Sequence, residues 1–357
     1  MNQNPDSYYM TKALSLARFG IGYVSPNPLV GALIVKDGKI IGKGYHGRYG
    51  GFHAEVEAIE SATLSVAGAT LYCNLEPCCH LDKKTPPCAQ RIIKEKIKRV
   101  VLADLDPNPK VNGKGIRMLQ DAGIEVVLGI KKDQHQELNR FYIKYIVQRR
   151  PYVTVKIAQT IDAKISKDRV HQTWITGDIS LKKVHRWRSA YDAVLIGANT
   201  VRSDHPQLTV RAVKGRNPKR IIVSKSLNLP KNEFYKGPTT IIFTGVNSKL
   251  NFTDPTSKII RINEIKNGIL PLSAVMKHLG ELDFTSVLIE GGNKIFSQFI
   301  FNQLADEVKV FIAPVIWGKG IPVVDSTNNI SEEYTLKRIQ RCGQDVLLTY
   351  RKRFFRI

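Results

Sequence analysis

The first half of the chain carries residue types that together could bind a transition metal. A His-Ala-Glu triplet spans 53–55, and two Pro-Cys steps that end at Cys78 and Cys88 follow it. One imidazole and two thiolates are ligands that Zn²⁺ accepts, and they leave a fourth position for water, as in catalytic zinc sites. Zinc lowers the pKa of such a water toward neutrality. The pattern therefore predicts a hydrolytic zinc site.

Glu55, two residues after His53, is the carboxylate that this chemistry needs. When water attacks a ring carbon, a group must carry the proton to a ring nitrogen and on to the leaving ammonia. Residues i and i+2 inside a helix do not share a face, so we expect both side chains at a helix entrance. H-x-E followed by P-C-x-x-C is the pattern of zinc deaminases. Here the insert CHLDKKTPP separates the two cysteines.

The cysteines leave an alternative open. Four of the five, Cys73, Cys78, Cys79 and Cys88, fall within sixteen residues, and the odd total fits a metal or catalytic site better than a disulfide framework. A core histidine with small buried thiols is the other interpretation. Histidine, glutamate and two Pro-Cys steps in this order favour the metal site, with Cys79 as the competing thiol for Cys78.

The second half offers a weaker signal at 286–300, where an apolar strand ends in Glu290 and Gly291-Gly292 precedes a helix. Glycines there would let backbone N–H groups approach a phosphate at the helix N-terminus. A tight strand-to-helix turn explains them equally well. No G-x-G-x-x-G fingerprint follows the first strand of this half. Arg186 and Arg188 add positive charge on a predicted helix, or form a solvated face.

Strands alternate with helices in both halves, which predicts two layered α/β domains. In the first half we expect helices at 6–19, from 53, at 87–96, 115–122 and 137–148, and strands at 30–35, 39–45, 69–75, 99–105 and 125–130. Asp37-Gly38 indicates a hairpin between the first two strands. In the second half we expect strands at 152–159, 193–197, 220–224, 240–245, 286–292 and 308–316, and a helix at 178–190. Pro151 disfavours helix at the residue before it, so we place the domain boundary at 149–150.

The composition is that of a globular protein with a large positive charge. The 357 residues carry a formal charge of +23, of which residues 1–150 contribute +8 (22 basic, 14 acidic) and the rest +15. The basic residues are scattered through both halves, which favours a lysine-rich surface without a partner, or small phosphorylated ligands, over a nucleic-acid partner. No apolar run is long enough to span a bilayer and the N-terminus lacks a secretory pattern, so we expect a cytoplasmic protein.

Several stretches resemble one known family. SPNPLVGALIV (25–35), HAEVEAI (53–59), LEPCCH (75–80) and KTPPC (84–88) resemble the deaminase half of the bifunctional riboflavin-biosynthesis deaminase/reductases. RPYVTVKIAQTIDAKI (150–165), WITG (174–177), GANTVRSDHPQLTVR (197–211) and LIEGG (288–292) resemble the reductase half. The resemblance implies a cytidine-deaminase-like three-layer α/β/α domain at 1–149 and a dihydrofolate-reductase-like α/β domain at 150–357.

The resemblance also implies site residues. In the deaminase, the zinc ligands would be His53, Cys78 and Cys88, the proton shuttle Glu55, and the substrate residues Asn27, His46, His80 and Lys84. In the reductase, NADPH would be bound by Ala158, Trp174, Thr200, Asp204, Gly291 and Gly292. The reductase substrate would be bound by Lys156, Gln172, Arg188, Leu208, Arg211 and Glu290. Arginine suits a ribose phosphate because its guanidinium forms bidentate, charge-assisted bonds to phosphate oxygens.

The chain departs from the family pattern at a few positions. Cys79 and Gln172 stand where the family usually has serine, and Ala163 stands where glycine is usual. An extra residue in the loop leaves Lys83 as an alternative to Lys84.

The function that the resemblance implies is two consecutive steps of riboflavin synthesis. The first is zinc-dependent hydrolytic deamination of 2,5-diamino-6-ribosylamino-4(3H)-pyrimidinone 5′-phosphate. The second is NADPH-dependent reduction of the ribosyl group of 5-amino-6-ribosylaminouracil 5′-phosphate to ribityl. A homo-oligomer, commonly a dimer, is implied as well. The alternatives are a deaminase of nucleic-acid bases with a basic binding module, and a chain in which one half is inactive.

Overall fold

A computed structural model of the chain describes residues 4–80, 86–168, 173–230, 237, 239–246, 248, 257–263, 270–325 and 333–352. The chain divides into two compact units, Met1–Arg149 and Arg150–Ile357. In the described part of the chain, none of the helices combines the length and apolar character that crossing a membrane requires.

The first unit is built on a five-stranded sheet. Its helices are α1 (Pro5–Ala17), α2 (Ala54–Glu60), α3 (Cys88–Lys94), α4 (Lys114–Asp121), α5 (Lys132–Leu138) and α6 (Arg140–Gln148), and its strands are β1 (Gly31–Lys36), β2 (Lys39–Tyr45), β3 (Thr70–Cys73), β4 (Arg99–Leu102) and β5 (Glu125–Leu128). The strand order is β2-β1-β3-β4-β5. β1 runs antiparallel to β2 and β3, whereas β3, β4 and β5 are parallel. The predicted hairpin at Asp37-Gly38 is confirmed, with positive φ at both residues as a type I′ turn requires.

Alternation along the strands gives this sheet two buried faces. Leu33 of β1 lies in a buried cluster with Met10 of α1. The next residue, Ile34, lies in a cluster on the opposite face with Ala58 of α2 and Ile92 of α3. Because successive side chains of a strand point to opposite faces, helices cover both sides. The unit is a three-layer α/β/α sandwich.

The second unit is built on a nine-stranded sheet of the described residues. Its strands are β6 (Tyr152–Thr160), β7 (Lys164–Ser166), β8 (Ala193–Gly197), β9 (Lys219–Val223), β10 (Thr240–Gly245), β11 (Ser257–Ile262), β12 (Ser286–Ile289), β13 (Glu307–Ala313), β14 (Ile321–Pro322), β15 (Tyr334–Cys342) and β16 (Asp345–Lys352), and its helices are α7 (Asp178–Ala190), α8 (Ala198–Asp204), α9 (Leu272–Glu281) and α10 (Asn293–Phe301). The order in the large sheet is β11-β10-β9-β8-β12-β6-β13-β16-β15, and β14 pairs with β7.

The carboxyl ends of parallel strands meet at the centre of this second sheet. β12 lies between β8 and β6 and runs parallel to both. Each of β8 and β12 leads through a glycine into a helix, α8 after Gly197 and α10 after Gly292. In open α/β sheets, ligands bind in the crevice beyond such strand ends.

Two expectations about the elements need correction. The helix predicted at 137–148 begins earlier, at Lys132, and breaks at Asn139, which stands between α5 and α6. The strand predicted at 308–316 ends at Ala313, because Pro314 lacks the N–H that would continue the pairing. The described part of the C-terminal region, which offered little pattern, forms the β15–β16 hairpin.

Candidate active sites

His53, Cys78 and Cys88 come together in the first unit, with one ligand atom of each within 4.8 Å of the others. The nearest nitrogen is His53 Nδ1, which lies 3.6 Å from Cys78 Sγ and 3.3 Å from Cys88 Sγ. His53 is the N-cap of α2 and Cys88 is the first residue of α3. One nitrogen and two sulfurs at these separations fit the donor set of a zinc site with a position open for water.

Glu55 lies in the first turn of α2 and is buried, as the predicted helix entrance requires. Burial raises the pKa of its carboxyl, and the charge of Cys78 acts in the same direction, while the charge of His53 opposes the shift. A carboxyl that protonates more readily than usual suits a group that takes up and releases a proton during a reaction.

Asn27 and His46 form a directed chain of hydrogen bonds beside the metal ligands. The His46 ring lies edge-on to that of His53, with centroids 5.5 Å apart. His46 Nδ1 lies 2.8 Å from the carbonyl oxygen of Phe52, which can only accept, so Nδ1 carries the proton. His46 Nε2 then accepts from Asn27 Nδ2 at 3.0 Å. This chain fixes the Asn27 amide, whose carbonyl oxygen is left to accept a hydrogen bond from a ligand.

The remaining residues that the sequence singled out in the deaminase are not part of the metal-ligand group of described residues. Cys79 is outside the metal-ligand group, and its Sγ lies 3.8 Å from the carbonyl oxygen of Lys110. His80 is partly buried. Lys84 and its alternative Lys83 fall in 81–85, outside the described residues.

Glu76 is a buried carboxylate that sequence reasoning missed. Both of its oxygens accept hydrogen bonds, at 2.9–3.2 Å, from backbone N–H groups of the loop after β4 and the first turn of α4: Asp106, Gly113, Gly115 and Ile116. Gly115 also packs so closely on Pro77 that a Cβ would lie 2.2 Å from the Pro77 oxygen. Glu76 therefore ties the loop to the turn that carries Cys78. The sequence signal that could have identified Glu76 is its position directly before Pro77-Cys78.

A second overlooked network holds the segment that carries Asn27. Asn139, between α5 and α6, donates to and accepts from the backbone of Leu29, and Asn74 donates to the same carbonyl. Both amides also donate toward Nδ1 of the buried His135, at 3.0 and 3.4 Å. Two asparagines separated by more than sixty residues gave no local pattern, which explains why the sequence did not reveal the network.

In the second unit, eleven predicted site residues line one cavity of about 1000 Å³ beyond the ends of the central strands. They are the proposed cofactor residues Ala158, Trp174, Thr200, Asp204, Gly291 and Gly292, and the proposed substrate residues Lys156, Arg188, Leu208, Arg211 and Glu290. The twelfth, Gln172, lies outside the described residues.

The glycines at this cavity fit the phosphates of a dinucleotide. A Cβ at Gly291 would lie 2.9 Å from Ile295, so this position needs glycine for packing, whereas a Cβ at Gly292 would make an ordinary contact with Thr200 Oγ1, at 4.0 Å. Gly292 is the N-cap of α10. Backbone N–H groups at a helix N-terminus that faces a cavity favour an anion.

Three charged groups that are largely shielded from solvent line the cavity. Arg188 and Glu290 make a bidentate pair, with Nε–Oε1 and Nη2–Oε2 distances of 2.7 and 2.8 Å. Burial raises the pKa of Glu290, but Arg188 more than offsets this, so that its net pKa is lowered. Lys156 is buried beside this pair, and its pKa is lowered by burial, which the Glu290 charge partly opposes.

Family models cover both units of the chain. Residues 3–104 match the cytidine and deoxycytidylate deaminase zinc-binding region, and residues 151–348 match the RibD C-terminal domain. The sandwich of the first unit and the α/β sheet of the second are thus a cytidine-deaminase-like domain and a reductase domain, as expected.

Known proteins match along the full length. The riboflavin biosynthesis protein RibD of Aquifex aeolicus is 40% identical over 97% of this chain and 98% of its own length. That of Escherichia coli is 33% identical over 96% and 98%. A solved deaminase/reductase, a diaminohydroxyphosphoribosylaminopyrimidine deaminase/5-amino-6-(5-phosphoribosylamino)uracil reductase from Thermotoga maritima, has 38% identity and a TM-score of 0.90, covering 98% of this chain and 99% of its own.

Both halves of the family are present in order, each with a site of matching chemistry. The zinc-binding region contains the His-Cys-Cys group, and the reductase domain is of the type that binds NADPH. The chain belongs to the family of bifunctional deaminase/reductases of riboflavin biosynthesis.

Proposed function

We propose that residues 1–149 form the deaminase and residues 150–357 the reductase, and that they act in turn on one phosphorylated pyrimidine. The first would convert 2,5-diamino-6-ribosylamino-4(3H)-pyrimidinone 5′-phosphate to 5-amino-6-ribosylaminouracil 5′-phosphate, and the second would reduce the ribosyl group to ribityl. The observation that carries this proposal is the separation of two complete sites, since the metal-ligand group lies in one unit and the cavity of about 1000 Å³ in the other.

In the deaminase, we assign the metal to His53, Cys78 and Cys88 and the proton transfers to Glu55. Bound zinc supplies Lewis acidity that makes water nucleophilic near neutral pH. Glu55 would take one proton from the attacking water and pass it to the ring nitrogen, and would then carry the second proton, from the hydroxyl so formed on the ring carbon, to the amino group that leaves as ammonia. The raised pKa of its buried carboxyl makes the protonated state accessible between these transfers. Asn27 orients the pyrimidine, because its amide is fixed by His46, and we keep His80 and Lys84 as further substrate contacts.

In the reductase, we assign Ala158, Trp174, Thr200, Asp204, Gly291 and Gly292 to the cofactor, and Lys156 and Glu290 to the sugar. Bound NADPH supplies the hydride that reduces C1′. Lys156 donates N–H bonds to the sugar oxygens, and Glu290 holds it there through its charge.

Arg211 and Arg188 bind the phosphate of the reductase substrate in this proposal, and we keep Leu208 and Gln172 as further substrate contacts. Arg188 uses three of its five N–H donors within the protein, on Glu290 and on the carbonyl of Thr209. Two donors therefore remain for a ligand. The Arg211 side chain is exposed and makes a 3.3 Å bond to Gln207, so it is available to a phosphate.

The assay that tests the proposal supplies the phosphorylated diaminopyrimidine with and without NADPH. We expect ammonia release without NADPH, and NADPH oxidation only with this substrate or its deaminated product. Arg211→Ala should raise KM for the ribosyl phosphate by a factor equivalent to about 1.5–3 kcal/mol, as for a charged hydrogen bond. Lack of NADPH binding, together with deamination of a base within RNA, would contradict the proposal.

We further propose a cytoplasmic homodimer without a nucleic-acid partner. An edge strand of the large sheet, β15, carries the exposed apolar side chains Leu336 and Ile339, and an exposed edge of this kind is a surface that a second chain can cover. Light scattering should give twice the mass of one chain. Binding to random single-stranded RNA should be weak and vanish between 50 and 200 mM salt, as expected for a non-specific counterion effect. Salt-resistant binding would contradict this.

A further inference from the structure

A segment of the reductase without helix or strand, 207–212, is held in place by side chains of α7. His185 and Arg188 are three residues apart and therefore share one face of this helix. Arg188 Nη1 donates to the carbonyl of Thr209 at 3.2 Å. On the other side of Val210, His185 Nδ1 accepts from the backbone N–H of Arg211 at 3.1 Å.

The His185 contact is directed and buried. His185 is fully buried, and its Nδ1 also lies 3.5 Å from the backbone nitrogen of Ala212. A backbone N–H can only donate, so Nδ1 must be unprotonated and the neutral ring carries its proton on Nε2. Among the described residues, Nε2 is buried without a hydrogen-bond partner. The ring therefore makes its hydrogen bonds through one acceptor atom, and both are with the backbone at Arg211 and Ala212.

We propose that His185 is a positioning residue of the reductase: its neutral Nδ1 anchors the backbone of Arg211 and so sets where the Arg211 guanidinium meets the phosphate of the substrate. This inference rests on the proposed function, which assigns Arg211 to that phosphate. His185 itself is not among the residues that line the cavity and makes its bonds to backbone, so it acts through Arg211.

The charges around His185 keep it neutral. Arg188 faces it from its own helix, Arg211 from the segment, and Glu290 from the turn after β12, with Lys156 of β6 beyond Glu290. Burial lowers the pKa of His185, both arginines lower it further, and Glu290 opposes them. Protonation at acid pH would place an Nδ1–H against the two backbone N–H groups. The anchor is therefore present at neutral pH and is lost as pH falls through the lowered pKa.

The test compares His185→Asn with His185→Leu, because these two side chains have nearly the same shape and differ in polarity. The Asn carbonyl oxygen can replace Nδ1 as the acceptor, whereas Leu cannot. We expect His185→Leu to raise KM for the ribosyl phosphate substrate about threefold to tenfold, the range of one hydrogen bond. His185→Asn should stay within about twofold of the wild type. KM for NADPH and the rate of ammonia release serve as internal controls and should not change in either variant.

The pH dependence of KM distinguishes the hydrogen bond of His185 from a contribution to packing alone, because packing does not depend on protonation of the imidazole. In the wild type, KM for the ribosyl phosphate should rise as pH falls below neutrality. In His185→Asn this increase should be smaller, because no imidazole is left to protonate. The same increase in both proteins would overturn the proposal, and so would equal KM values for the Asn and Leu variants.

Binding of ribose 5-phosphate, measured by calorimetry without NADPH, separates this proposal from the proposed function. We expect Arg211→Ala and His185→Leu to weaken it and His185→Asn to retain it. If the variants bind in this way but the protein shows no reductase turnover, the proposed function is refuted and the positioning role of His185 is supported. Unchanged binding in His185→Leu, in a protein with normal turnover, would refute the anchor.

Discussion

At the scale of single residues, the adjacent thiols at 78 and 79 have the same chemistry, and the sequence favoured Cys78 through its Pro-Cys step, with Cys79 as the competing thiol. Cys78 is 8% exposed and its Sγ lies 3.6 Å from His53 Nδ1, whereas the Sγ of the partly exposed Cys79 lies near the Lys110 carbonyl. The direction of a side chain depends on the turn that carries it. Residue types alone predict which chemistry is present, whereas the choice of Cys78 over Cys79 depended on the Pro-Cys step and on the family pattern.

We expect zinc to be lost from Cys78→Ser and from Cys88→Ser, because each variant removes a thiolate from a site with three protein ligands. Cys79→Ser is the matched control and should keep about one zinc per chain. Elemental analysis of the purified proteins measures this. Metal retained in Cys78→Ser but lost from Cys79→Ser would show that Cys79, and not Cys78, is the ligand.

Glu55→Gln should separate metal binding from chemistry. The amide keeps the size of the side chain but cannot carry a proton, a role typically worth 10²–10⁴-fold in rate. Ammonia release should fall by about that factor, while zinc content stays normal and reduction of the deaminated intermediate proceeds at the wild-type rate. Near-normal deamination would remove Glu55 from the mechanism.

At the scale of elements, local patterns predicted what local forces determine. The Asp37-Gly38 hairpin and the strand at 193–197 follow from turn chemistry and apolar runs, and both were predicted. The β15–β16 hairpin was not, because most side chains of β15 are exposed and leave no clean alternation to read. The break between α5 and α6 also escaped prediction, since Asn139 there bonds to Leu29, 110 residues earlier.

The loop that follows β4 depends on the single carboxylate of Glu76. Its four backbone partners span residues 106–116. Glu76→Gln replaces one acceptor oxygen by an NH₂ group that faces N–H donors. We expect a loss of about 3 kcal/mol in the stability of the first unit, the upper range for a hydrogen bond to a charged group. Zinc affinity should fall about tenfold or more, as for groups that orient ligands.

Glu125→Gln is the control for Glu76→Gln, since the Glu125 side chain is 60% exposed and pairs with Arg99 at the surface. An exposed ion pair contributes at most about 1 kcal/mol. Thermal unfolding and competition with a chelator would measure both variants. Equal effects of the two substitutions would show that Glu76 does not organise the loop.

The network around His135 predicts how the segment at 27–31 responds to acid. Burial lowers the pKa of His135 to about 4, Asp104 opposes this and Lys132 adds to it. The unfolded chain, with an ordinary histidine pKa near 6.5, binds more protons between these values, so stability rises with pH over this range. Acidification from pH 7 to 4 should cost roughly 3 kcal/mol from this group.

Hydrogen exchange of a peptide that covers 25–35 tests this, because the backbone N–H groups of Leu29 and Gly31 bond to Asn139 and Asn74. Exchange should accelerate as pH falls from 6.5 to 4, after correction for the intrinsic rate. His135→Asn keeps an acceptor but cannot titrate, so it should lack that acceleration. If the corrected exchange rate did not change with pH in either protein, His135 would not support the segment.

At the scale of the whole molecule, each unit contains its own sheet, its own buried cluster and its own site. The formal charge is positive in both, +7 for residues 1–149 (21 basic, 14 acidic) and +16 for residues 150–357 (33 basic, 17 acidic), in agreement with phosphorylated ligands in each. Among the described residues, the metal-ligand group lies within the first unit and the lining of the reductase cavity within the second. Two domains with separate cores can fold separately.

We therefore expect fragments 1–149 and 150–357 to fold on their own, the first with about one zinc and the second with NADPH affinity close to that of the full chain. The three tryptophans, Trp174, Trp187 and Trp317, all lie in the second fragment, and Trp174 lines its cavity. Tryptophan fluorescence of the full chain thus reports only on the second unit, and its unfolding midpoint and quenching by NADPH should match those of fragment 150–357. Stripping zinc with a chelator should destabilise fragment 1–149 and leave the fluorescence transition of the full chain unchanged. A fragment 1–149 that folds without holding zinc would mean that residues after 149 complete the metal site, and a fluorescence transition that moves with zinc would mean that the two units unfold as one.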